Sequence, residues 1–317
     1  MKETKFLGLL LLVLCLLSLY LGAGQFSLAK FLQGDAASWL TFQESRLPRT
    51  LSIVLAGSSM SMAGLLMQTI TQNPFAAPST IGTVEAAELG MLLSLFFFPS
   101  ASLGQKMLFA FCSAIFFTLI FIRFVRKLSF KEKWLLPLVG LIYSGIISAA
   151  AQIIAYRFNL VQSMSSWTQG SFSMIQRHQY EWLFLSLIIL IAVWRLSSTF
   201  TIMNLGEDAS HNLGISYYKV EGLILFLVAL TTSVTMITVG SLPFLGVIVP
   251  NVVRTFWGDN MKRIKGAVAL AGAVFVLACD ILARLLIRPY ELSVSLILGM
   301  VGSIIFIFLL WRGSVHE

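Results

Sequence analysis

A chain of 317 residues that is 57% hydrophobic and only 11% charged, with a mean hydropathy of +0.87, does not read as a soluble protein; a soluble domain carries about 25% charged residues. The net charge of +8 would raise nucleic acid as a partner if the chain were soluble. Here the basic residues cluster between apolar blocks, the pattern of membrane topology, so nucleic acid is not expected.

Ten blocks are long and apolar enough to suggest spanning helices, since roughly 20 apolar residues cross a bilayer core. They lie near 6–23, 50–68, 82–98, 107–122, 134–156, 182–200, 222–240, 242–257, 266–287 and 292–311. The first follows Lys2 and Lys5 as a signal peptide would, but it is longer than a signal core, and hydrophobic segments continue to the end of the chain. The expectation is therefore an all-α polytopic membrane protein of about ten transmembrane helices, one domain over 1–317. The cluster Arg123, Arg126, Lys127, Lys131 and Lys133 sets the orientation, and with alternating spans both termini fall in the cytoplasm.

Cys15, Cys112 and Cys279 are scattered through apolar blocks, without the spacing of a metal site or a disulfide framework. His178, His211 and His316 are far apart, and no phosphate-cradling loop, HExxH or nucleophile elbow occurs. The chain is not expected to be an enzyme, and energised transport would draw on an ion gradient or on a separate ATPase.

The second span opens on Arg46-Leu-Pro-Arg49 at its outer end, with Pro48 in the first turn of the helix. Arginines there oppose both the positive-inside bias and the helix dipole. That makes a stabilising role a poor explanation; an external carboxylate partner would explain them, as would snorkelling to lipid phosphate. Gly57 and Ser61 have the spacing of close helix packing. The span ends in Gln72-Asn73-Pro74-Phe75-Ala-Ala-Pro78, where two prolines forbid a continuous helix.

Glu85 and Glu88 stand in the first turn of the third span, where a helix N-terminus favours carboxylates and where membrane acids are also functional candidates. Further on, Gly206, Glu207 and Asp208 begin a polar segment that closes at Leu213 and Gly214. It reads as a short helix able to dock a partner, or as a plain surface loop. The eighth span is short and holds Gly246 and Pro250, which points to a broken helix at those residues. Asp280 and Arg284 lie four apart near the outer end of the ninth span and face each other.

Taken in order, these segments resemble the FecCD-type permeases, which import ferric siderophores, haem and cobalamin. The shared patterns are R-x-P-R at 46–49, the N-P turn at 72–78, G-E-x-A-x-x-x-L-G at 206–214, the stretch 243–254 and D-x-x-A-R at 280–284. Asn251 stands where His is common, Asp208 where Glu or Ala is common, and Glu85 and Glu88 where small residues are common. Asn251 and the acidic third-span residues Glu85 and Glu88 look more like the catecholate-siderophore branch.

The resemblance implies a permease subunit of an ATP-binding-cassette importer for an iron–siderophore-type ligand in the bacterial cytoplasmic membrane. Its partners would be a second permease chain (copy or paralogue), two ATPase subunits that hold ATP and Mg, and an extracytoplasmic substrate-binding protein. No cofactor is expected in this chain. Arg46, Arg49 and Arg284 would meet carboxylates of the binding protein. Asn73 and Phe75 would form the cytoplasmic gate, and Gly206, Glu207, Asp208, Leu213 and Gly214 would couple to the ATPase. The rival reading is an ion-coupled secondary transporter using Glu85, Glu88 and Asp280 as a relay.

Overall fold

The structure is a computed structural model that describes residues 2–21, 31, 33–127, 135–173, 175, 180–287 and 290–314. Lys131, Lys133, His178 and His316 of the sequence argument lie outside them. All regular structure among the described residues is helical. In chain order the helices are α1 (Lys2–Tyr20), α2 (Ala36–Thr41), α3 (Leu47–Thr71), α4 (Thr83–Phe97), α5 (Leu103–Lys127), α6 (Leu135–Arg157) and α7 (Val161–Thr168). They continue as α8 (Leu187–Met203), α9 (Glu207–Asn212), α10 (Tyr217–Thr238), α11 (Leu245–Trp257), α12 (Met261–Leu285) and α13 (Val294–Ser314).

Six helical stretches among the described residues are long and apolar enough to cross a membrane: Ala36–Thr71, Leu103–Val125, Leu138–Arg157, Tyr180–Met203, Tyr217–Thr238 and Met261–Leu285. Shorter apolar helices coincide with the remaining blocks.

α3 is the central rod, wrapped by α8, α10, α11 and α12. Most of its hydroxyls are satisfied within the helix itself; Thr50 pairs instead with Ser18 of α1, and Ser52 is buried without a hydrogen-bond partner. Ser58 donates to the carbonyl of Val54, Ser59 to Leu55, Ser61 to Gly57 and Thr69 to Leu65. Such back-bonding lets polar residues sit in an apolar interior without outside partners. At Gly57 the rod meets Gly272 of α12 backbone to backbone, and the Ser61 side chain lies against the same glycine, as the small-residue spacing expects. Gly64 meets Gly246 of α11 backbone to backbone, and a Cβ on Gly64 would collide with the Gly246 backbone.

Two helix boundaries differ from the sequence expectation. Pro48 does not open the second span. The helix begins at Ala36 and passes through a five-residue π turn, Phe42–Arg46, before α3. There the N–H of Leu47 reaches back to the carbonyl of Phe42, a wider turn just ahead of the proline, which has no donor and crowds the preceding turn. Arg46 and Arg49 are thus inside a helix, beyond the first-turn reach of the dipole argument.

The eighth span is not broken at Pro250 either. The break precedes it, at Val239–Phe244 in the left-handed residue Phe244 (φ 62°), and α11 runs unbroken through Pro250. A proline leaves the carbonyl four residues earlier without its helical donor. That carbonyl belongs to Gly246, and the side-chain amide of Gln68 donates to it at 3.3 Å.

Candidate docking, gating and coupling sites

The arginine corner forms where α1 ends, α3 begins and α12 ends. Asp280, fully buried, accepts from Arg49 Nη2 at 2.8 Å and Nε at 3.2 Å, and also pairs with Arg284. Arg49 Nη1 reaches Glu291 Oε2 at 2.8 Å, in the segment before α13. Arg284 donates to the carbonyls of Ser18 (3.1 Å) and Leu21 (2.7 Å) and to the Ser18 hydroxyl (2.8 Å). Arg46 donates to the carbonyls of Leu19 and Tyr20. The last carbonyls of a helix have no partner within it and carry the negative end of its dipole. Arg46 and Arg284 therefore cap α1, while Arg49 and Arg284 neutralise Asp280.

This corrects the sequence argument that a stabilising role explains these arginines poorly: they have one, and the compensating groups belong to the chain itself. All three side chains are largely buried, with Arg49 at 11% exposure and its partner Glu291 at 19%. The expected Asp280–Arg284 pair is present, joined by Arg49, which lies 231 residues from Asp280. Glu291 was not among the sequence candidates. Its place beside Pro289 at a helix boundary carries no local signal of an arginine partner.

At the other end of α3, Gln72 takes a left-handed conformation (φ 52°) and turns the chain out of the helix. Asn73 is buried, and its Oδ1 accepts from the N–H of Phe75 at 2.8 Å. Phe75 packs edge-on against Phe306 of α13, with ring centroids 5.7 Å apart. Asn251 Nδ2 donates to the carbonyl of Pro74 at 2.7 Å, so the residue that departs from the family's His ties α11 to the turn. Arg254 Nη1 donates to Gln68 Oε1 at 2.9 Å and pairs through Nε with Asp259 at 3.2 Å. Gln68, Asn73, Phe75, Asn251 and Arg254 line one cavity of about 430 Å³. Gln68 and Arg254 were missed as site residues; a lone amide deep in an apolar span was the available signal for Gln68.

The polar segment at 206–214 is helical over Glu207–Asn212. Gly206 (φ 99°) and Gly214 (φ 76°) bound it in the positive-φ region that glycine enters without steric cost, and nothing crowds either position. Ser210 is buried and bonds back to the carbonyl of Gly206 at 2.7 Å, and Glu207 accepts from the Tyr218 hydroxyl at 2.6 Å. Asp208 and Leu213 face outward, with Leu213 at 58% exposure. This helix shares an end of the molecule with the N-P turn: Gln72 Nε2 donates to the carbonyl of Met203, and the Tyr217 hydroxyl to that of Ile70. The arginine corner is at the opposite end of α3, about 37 Å away for 25 residues at 1.5 Å each.

Glu85 and Glu88 lie on α4. Asp280 is held by two guanidinium groups, which does not suit a mobile relay. Among the described residues no group of three or more His, Cys, Asp or Glu could hold a metal ion.

Comparison with known proteins gives the family. The family described as the FecCD transport family matches residues 10–312. The petrobactin import system permease protein YclN of Bacillus subtilis is 43% identical over 314 residues, covering 99% of each chain. The ferric-anguibactin transport system permease protein FatD of Vibrio anguillarum is 38% identical, covering 95% of this chain and 96% of that one. A chain of a metal-chelate type ABC transporter in an inward-facing conformation aligns with a TM-score of 0.79 at 25% identity, covering 98% of this chain and 99% of that one. From residue 10 to 312, this chain belongs to the FecCD transport family: it is a multi-pass membrane permease subunit of an ATP-binding-cassette importer, not an enzyme.

Proposed function

We propose that the chain imports an iron–siderophore-type ligand of the catecholate branch across the bacterial cytoplasmic membrane. About ten helices span the bilayer, with both termini inside. A second permease chain, a copy or a paralogue, completes the path. Two ATPase subunits, which hold ATP and Mg, dock on the α9 end, and a substrate-binding protein docks on the arginine corner. The relatives named for petrobactin and anguibactin support the cargo class.

One observation carries the layout. The N-P turn and α9 share one end of the molecule and the arginine corner lies at the other, joined by a single buried helix. Asn73 and Phe75 form the inner gate in this reading, positioned by Asn251 and Phe306. Gly206, Glu207, Asp208, Leu213 and Gly214 form the coupling surface, with Leu213 as its apolar contact. Arg46, Arg49 and Arg284 attract the binding protein as part of a basic cluster in which Asp280 and Glu291 pair with Arg49 and Arg284. Docking carboxylates compete with Glu291 at the rim.

The test is reconstitution. Proteoliposomes containing the chain with its permease partner, ATPase and binding protein should accumulate radio-iron chelate with ATP and Mg. Vesicles of this chain alone under a proton gradient should accumulate none. Accumulation by the chain alone overturns the importer reading.

A further inference from the structure

Glu88 of α4 is 4% exposed, and its Oε1 is buried with no hydrogen-bond partner. It lines a cavity of about 260 Å³ with Ser148, Gln152 and Tyr156 of α6 and Ser165 and Thr168 of α7. None of the lining residues is cationic. Glu85, one turn earlier on the same helix, also has a buried oxygen without a partner, and like charges at that spacing repel. A buried carboxylate is stable only when neutralised or matched by a cation.

The wall of the cavity has its own pattern. Ser144, Ser148, Gln152 and Tyr156 recur every four residues on α6 and so form one polar stripe. Gln152 and Tyr156 are exposed, Tyr156 to 70%. Lipid does not solvate such a stripe, whereas a water-filled path does. The cavity is several times the volume of one water molecule, about 30 Å³, so it admits an organic group rather than a bare proton. The hydroxyl and amide oxygens among its lining residues can accept hydrogen bonds.

We propose that the Glu88 cavity is a site for an alkylammonium group of the transported ligand. The ammonium pairs with the Glu88 carboxylate and donates its remaining hydrogens to hydroxyl or amide oxygens of α6 and α7. As a feature of the translocation path, the site rests on the importer reading above. It would select cargo that carries a protonated amine over cargo of the same size that does not.

The test uses the complete transporter in lipid nanodiscs with tritiated putrescine as probe. Wild type should bind it saturably, and neutral 1,4-butanediol should not compete. Glu88→Gln should weaken binding about ten- to a hundredfold, the effect of one lost charge-assisted contact. Glu88→Asp, which keeps the charge on a shorter stem, should fall between. Equal binding by wild type and Glu88→Gln overturns the proposal. So does a wild type with no saturable binding, or a site that takes radiosodium and not the amine. Radio-iron uptake with ATP separates the two readings. A transporter that binds putrescine but imports no chelate fails the importer reading, and one that imports chelate but binds no amine fails this one.

Discussion

The side-chain amide of Gln68 occupies the place of the backbone donor that Pro250 lacks. It donates to the Gly246 carbonyl, and its own oxygen accepts from Arg254. One residue of α3 thus satisfies both a broken ladder position and one side of a part-buried cation of α11. Gln68→Leu strands the Gly246 carbonyl and leaves Arg254 with Asp259 alone, and should cost about 1–3 kcal/mol for the buried carbonyl left unpaired. Gln68→Glu keeps the Arg254 partner and loses only the donor, so it should be milder. Thermal unfolding of the purified chain in detergent measures both. A Gln68→Leu protein that melts with the wild type removes this staple from the account.

The Gly64–Gly246 crossing makes a second prediction. A methyl on Gly64 would run into backbone, which no rotamer change relieves. Gly64→Ala should therefore destabilise by about 1–3 kcal/mol. At Gly214 the space is open and only the positive φ opposes a side chain, so Gly214→Ala should cost about 1 kcal/mol. The same melting assay ranks them, and the reverse order would contradict the close approach of α3 and α11.

Asp280 is the single carboxylate between two buried arginines. Asp280→Asn leaves those cations short of charge and should cost about 3–5 kcal/mol. Glu291→Gln, at the part-buried rim and removing only one of the two partners of Arg49, should cost less, about 1–2 kcal/mol. Yield and melting temperature of the two variants decide this. Comparable losses would mean that Asp280 holds no special place in the corner.

Docking has a sign that follows from the same cluster. Glu291→Gln removes a competitor carboxylate and raises the positive charge at the rim. An acidic binding protein should then dock more tightly, chiefly through a faster on-rate. Raising salt should shrink the gain, since the Debye length falls from about 10 Å at 0.1 M to about 3 Å at 1 M. Binding kinetics at two salt concentrations test it. Weaker docking of Glu291→Gln would count against an acidic partner at this corner. Arg49→Glu is a poor probe here, because it would set three acids together and disrupt the corner itself.

Leu213 offers a test of coupling that leaves the fold alone. It is exposed and lies outside the apolar interior. Leu213→Asp should leave the stability within about 0.5 kcal/mol of wild type, as surface changes do, while reducing co-purification of the ATPase. Undiminished assembly would remove α9 as the contact.

Much of this was readable from local sequence. The apolar blocks fall on helices, the Gly57/Ser61 spacing marks a true backbone contact, and the Asp280–Arg284 pair follows from helical period alone. What escaped were relations between distant segments. Arg49 and Glu291 lie 242 residues apart, and nothing near either names the other. Pro250 reads locally as a helix breaker because its rescuer, Gln68, is on another helix. Ala36 was hidden as a helix start because Gln43, Glu44 and Ser45 interrupt the apolar pattern.

The backbone contacts of α3 bear on how the two ends of the molecule communicate. A helix buried over most of its length, whose flanks touch backbone at Gly57 and Gly64, is held against bending between its π turn and Gln72. A push at the arginine corner therefore reaches the N-P turn as a tilt or slide of the whole rod rather than as a bend. The only joints available to it are its two ends: the wide turn ahead of Pro48 and the left-handed residue Gln72.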